Sequence, residues 1–184
     1  MEQIYIHNQL QMKKMIRLSL LLVLISGIIY YVWPQEQLAK NQRIDKIVVN
    51  KTDRQMIVYY QKEEIARYTV SLGSKKWPSP NWGPFLNHDD GPKNRFGDAK
   101  TPEGEYRLSP SHGKYQPALK LNYEEKYPGQ GGGILIHGPN QMNKFAGKFL
   151  RWVDWTDGCI ALTETEMKEI YNAVKPNCFI QINH

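Results

Sequence analysis

Residues Ile134 to Leu162 constrain the chain more than any other stretch. They read ILIHGPNQMNKFAGKFLRWVDWTDGCIAL. A short apolar run ends in His137-Gly138. A second apolar run begins after Thr156-Asp157-Gly158-Cys159. Loop-like residues carrying Trp152 and Trp155 lie between them. A histidine ending one strand and a cysteine starting another form an arrangement in which an imidazole can activate a thiol.

The flanking segments predict a mainly β domain. Lys46–Asn50, Gln55–Tyr60 and Ile65–Leu72 are rich in β-branched and aromatic residues, with polar turns between them, as in a meander. Short strands are expected at Tyr106–Leu108 and Ala118–Tyr123, followed by a buried strand at Ile134–Ile136 that carries His137. Thr163 and Glu166 form a capping box ahead of Met167, Ile170, Tyr171 and Val174, which share one helix face. Pro176 is expected to end that helix, and Phe179–Ile182 to close the fold as a strand.

Gly73 to Lys100 holds four prolines and interspersed glycines, so it is neither a long helix nor a central strand. His88-Asp89-Asp90 sits there. Adjacent loop residues make a poor metal cage, since hard-ion sites alternate their oxygen ligands. His137 and Cys159 with distant His112 or His88 show no zinc-ligand spacing. No metal or other cofactor is expected.

Near the N-terminus, Lys13, Lys14 and Arg17 precede an uncharged run from Leu18 to Trp33. With Met15 and Ile16 this approaches the ~18–20 residues that cross a bilayer. The division expected is a cytoplasmic N-terminus at 1–14, a transmembrane anchor at 15–33, a linker at 34–43 and a folded domain at 44–184. Basic residues before the run put the domain outside the cytoplasmic membrane, in the periplasm or cell-wall space. The formal net charge of +6 falls to +4 once Lys13, Lys14, Arg17 and Glu2 are set aside. That charge is spread without a dense stripe, which argues against nucleic-acid binding.

Two cysteines in an exported chain suggest a disulfide by default. Cys159 instead lies in a turn between a polar loop and an apolar strand, where a nucleophile is exposed. Cys178 opens the last strand and reads as a small buried hydrophobe. As a nucleophile, Cys159 would give its proton to His137. Backbone amides near Asp157, Gly158 and Cys159 would face the oxyanion, and His137 would return the proton to the leaving amine.

His137-Gly138 followed by Thr156-x-Gly158-Cys159 resembles the signature of the L,D-transpeptidase (YkuD-type) catalytic domain. Gly97-Asp98, Thr101-Pro102-x-Gly104-x-Tyr106 is similar to that family's upstream motif. The resemblance covers about residues 45–182 and implies a β-sandwich or barrel with a helix near the C-terminus. It implies attack of Cys159 on a peptidoglycan stem peptide through a thioacyl-enzyme, with His137 as base and Gly158 at the oxyanion site. Gly138, Thr156, Asp157, Trp155 and Trp152 are the expected substrate-binding residues, and 139–155 a lid. Two departures stand out. Ala161 occupies a position where many members have Arg, and Asp157 one where many have His or Lys. An acid there would raise the thiol pKa. The rival reading is a non-catalytic peptidoglycan-binding module of the same fold.

Overall fold

The computed structural model describes residues 2–32, 38–73, 92–93, 97–126, 133–139 and 153–184. The chain divides into two units, Met1–Gln35 and Glu36–His184.

The first unit is one helix, α1 (Glu2–Val32). From Met15 to Tyr30 its large apolar side chains stand exposed, Met15 at 71%. Among the described residues no helix is long and apolar enough to cross a membrane. The span expected over 15–33 is therefore not found. Arg17 falls within that stretch, and Trp33 lies outside the described residues.

The second unit is mainly β. Its strands are β1 (Ile44–Asn50), β2 (Gln55–Tyr60), β3 (Glu63–Thr69), β4 (Gly104–Ser111), β5 (Ala118–Leu121), β6 (Leu135–His137), β7 (Ile160–Ala161) and β8 (Val174–Asn183). They form one curled sheet in the order β3-β2-β1-β8-β4-β5-β6-β7. β4 makes the bend: Gly104–Arg107 pairs with β8, while Leu108–Ser111 pairs with β5. The chain leaving β3 curls round to the far edge. Ser71 exchanges two backbone hydrogen bonds with Ala161, at 3.0 and 2.8 Å, and Thr156 N–H donates to Leu72 O. β7 is thus held on both sides, by β6 and by the segment after β3.

Alternating side chains of these strands enter one core, including Ile47, Val49, Met56, Val58, Leu121, Ile136, Ile160 and Ile180. Helix α3 (Glu164–Ala173) adds Met167 and Ile170 to it, both fully buried. The capping box forms as read, with Thr163 accepting from Glu166 N–H and the Glu166 carboxylate accepting from Thr163 N–H.

Several expectations need correction. α3 ends at Ala173, before Pro176, and β8 begins at once, with a register irregularity between its pairings to Ile44 and Lys46. Asn177 takes a positive φ of 67° inside this strand. Asn122 and Tyr123 do not extend β5. Tyr123 opens a single helical turn, α2 (Tyr123–Lys126), and buries its ring against Tyr106 at 5.8 Å. Leu38, ahead of β1, packs on the core. His88-Asp89-Asp90 and most of the Gly73–Lys100 loop lie outside the described residues.

Candidate active site

The parallel pairing of β6 with β7 sets the geometry. Ile136 lies opposite Ile160 and His137 opposite Ala161. Side chains alternate along a strand. Ile136 and Ile160 therefore enter the core together, and His137 shares the other face with Ala161. Cys159 stands one residue ahead of β7, and the same alternation carried back one step puts it on the face of His137. One strand spacing and two residues of rise separate their Cα atoms by about 8 Å. The thiol contacts the N–H of Leu135, two residues before His137 on β6.

His137 is 2% exposed. Its Nδ1 lies 2.6 Å from the Gly138 carbonyl oxygen. A carbonyl only accepts, so Nδ1 carries the proton and donates it. The lone pair is left on Nε2, the nitrogen that can take a proton from a thiol. Tyr115 stacks on the ring at 4.1 Å between centroids, and Trp155 meets it edge-on at 5.8 Å. Burial pushes the imidazole pKa down, against the upward pull of the Gly138 bond, so the resting ring is neutral. α3 lies beside Gly138: a Cβ there would be in ordinary van der Waals contact with Glu164 Cα at 3.4 Å and Met167 Cβ at 3.6 Å.

The turn before Cys159 is held from within. The Thr156 hydroxyl donates to Cys159 O at 2.6 Å and accepts from Gly158 N–H at 3.3 Å. Thr156 is buried, and its hydroxyl is engaged by the turn. The Gly158 amide named above as an oxyanion donor is likewise engaged. Gly158 itself has φ +107°, and a Cβ would meet Lys100 O at 2.6 Å. A side chain at this position would be strained twice over.

The upstream motif forms the floor under that turn. Gly73 packs so tightly that a Cβ would stand 2.1 Å from Ala99 O and 3.0 Å from Gly158 Cα. Gly73 N–H donates to the Thr101 hydroxyl at 3.0 Å. Asp98 pairs with Lys93 at 2.6 Å, their side chains 5% and 3% exposed. Asp154 ties the loop to the sheet by accepting from Leu72 N–H at 2.8 Å and pairing with Arg54 at 3.0 Å. Sequence reasoning did not single out Tyr115, Lys93 or Asp154 for the site. Tyr115 and Asp154 act through contacts distant in sequence, which no local spacing marks, and Lys93 pairs with Asp98, five residues on.

Both cysteines are free thiols. Burial pushes the Cys159 thiol up. The Leu135 N–H opposes this, Asp157 adds to it and Lys93 counters it. Asp157 is exposed, and its charge also reaches Tyr115. Cys178 is buried and pushed up to about 12, chiefly by burial. Trp152 and residues 140–151 of the expected lid lie outside the described residues. No group of metal-ligating side chains gathers among the described residues.

A family model described as YkuD, L,D-transpeptidase catalytic domain, matches residues 44–182. The chain belongs to this family. Among solved structures it is similar to the helical cell shape determining protein Pgp2 from Campylobacter jejuni. The TM-score is 0.54 and the identity 25%, over 78% of this chain and 48% of Pgp2. It shares a fold with Bd1075 of Bdellovibrio bacteriovorus, at TM-score 0.50 and 19% identity, over 81% and 50% of the two chains. The chain therefore spans about half the length of these structures. No match was found among curated proteins.

The electrostatics predict a thiol that stays protonated at neutral pH. Alkylation of Cys159 by iodoacetamide should follow a pH midpoint above the ordinary thiol value of ~8.5. Asp157→Asn should lower that midpoint, because it removes one of the upward pushes. Peptide mapping separates this signal from buried Cys178. A midpoint at or below ~8.5, or a rise in the variant, would contradict this electrostatic picture.

Proposed function

We propose that this domain is a cysteine acyltransferase acting on peptidoglycan stem peptides. Family membership supports the reaction class. The observation that carries the catalytic reading is the 2.6 Å approach of His137 Nδ1 to the Gly138 carbonyl oxygen. Nδ1–H is committed to Gly138 O, so Nε2 is the basic nitrogen on the face that Cys159 shares.

In this reading both groups start neutral. Nε2 takes the thiol proton as sulfur bonds to the carbonyl carbon of the diamino-acid residue. The oxyanion that forms is held by backbone N–H groups, and we assign the Cys159 amide as one donor. Collapse breaks the C–N bond, and the imidazolium gives its proton to the departing amine of the terminal residue. A thioester remains on Cys159. An acceptor amine or water then loses a proton to Nε2, attacks the thioester and releases the thiol. A base with a lowered pKa suits this route, because it is unprotonated at neutral pH without needing a preformed ion pair.

Gly158, Thr156 and Gly138 serve here as positioning residues, the first two for sulfur and the third for the imidazole. Trp155 borders the imidazole, and Asp157 stands at the mouth. Ala161 offers only a methyl group where many relatives place Arg. Recognition of the donor therefore rests on other groups in this chain.

We further propose that α1 holds the protein at a membrane, with the domain on the extracytoplasmic side. A helix that is apolar all round is normally covered by lipid or protein, and the exposed run from Leu18 to Tyr30 is such a surface. Full-length protein should sediment with membranes, and a chain lacking residues 1–35 should not. A soluble full-length protein would overturn the placement.

With isolated muropeptides, Cys159→Ala and His137→Ala should each lower kcat/KM by about 10³-fold or more, by analogy with other nucleophile–base pairs. The profile of kcat/KM against pH should have its acid limb below ~6.5, because burial lowers the pKa of the base. Retained turnover in either variant would remove the mechanism. Muropeptide binding that survives Cys159→Ala, with no product from any acceptor, would favour a binding module instead.

A further inference from the structure

Tyr115 belongs to neither sequence motif, yet it makes the closest ring contact that His137 has among the described residues. The two rings are 4.1 Å apart between centroids and inclined by 28°, a face-to-face stack. Tyr115 lies in the connection between β4 and β5 and reaches the imidazole from outside the β6–β7 pair. Its phenol also senses charge on Cys159 and Asp157. Lys114 Nζ stands 5.7 Å from the same ring.

His137 is then bounded on three sides. Tyr115 covers a face, Trp155 meets the ring edge-on, and the Gly138 carbonyl holds Nδ1. A bond to one nitrogen does not stop an imidazole swinging about that bond. A ring stacked on its face does. The electron-rich face of a phenol also attracts a cation, and the reading above makes His137 a cation at each proton transfer.

We propose that Tyr115 is a positioning residue for the base: its ring keeps the imidazole on the Gly138 carbonyl with Nε2 aimed at sulfur, and stabilises the imidazolium once formed. The role belongs to the ring and not to the hydroxyl. The imidazolium part and the kinetic arm rest on the acyl-transfer reading; the stack itself does not.

Three proteins decide it: the full chain, Tyr115→Phe and Tyr115→Leu. Tyr115→Phe should keep kcat within about twofold. Tyr115→Leu should lose on the order of tenfold in kcat, with KM nearly unchanged. A second readout needs no substrate. The Nδ1 proton of His137 should give a downfield proton NMR resonance in the full chain and in Tyr115→Phe. That resonance should weaken or vanish in Tyr115→Leu, with the amide spectrum otherwise native. The proposal fails if Tyr115→Leu keeps both kcat and the resonance. It also fails if Tyr115→Phe falls as far as Tyr115→Leu, which would place the role in the hydroxyl. If the full chain turns over no muropeptide, the resonance alone decides the matter. That result would count against acyl transfer and not against the stack.

Discussion

The two-residue strand β7 is what the site depends on. Alone, so short a strand has no fixed position. Here β6 grips it on one side in parallel register, and the segment after β3 grips it on the other. The register matters more than the number of bonds. A slip of one residue would turn Cys159 to the face occupied by the core and leave His137 facing a different neighbour. Ile136 and Ile160, both fully buried, oppose such a slip because either would have to leave the core.

The rest of the domain can be read as support for that register. The sheet curls at β4, and this brings the end of β3 round to β7. Asp154 and Thr101 then fasten the closing segment by taking the Leu72 and Gly73 amides. Gly73 and Gly158 let two loops approach so closely that no side chain fits between them. α3, started by its capping box, packs beside Gly138, whose carbonyl meets the imidazole Nδ1.

Much of this was legible in the sequence where the cause is local. β2 falls at Gln55–Tyr60 as expected, since polar turns bound it on both sides. The capping box was visible because its two partners are three residues apart. His137 and Cys159 were visible because each interrupts an apolar run with a reactive group. What was hidden depends on distant pairing. The parallel contact between β1 and β8 joins opposite ends of the domain. Tyr115 meets His137 only because β4 bends and β5 pairs with β6. The α2 turn is too short to show a period. The motif names Thr156 but not the direction of its hydroxyl, which bonds within the turn to Cys159 O and Gly158 N–H.

The central claim is that Cys159 takes up the acyl group. The most direct measurement is intact-protein mass with peptide mapping, after a rapid acid quench of the enzyme with a defined stem peptide. The account predicts an added mass equal to the donor without its terminal residue, carried on Cys159 and absent from Cys178. Substrate consumption with Cys159 unmodified, or an acyl mass mapped to any other residue, would contradict it.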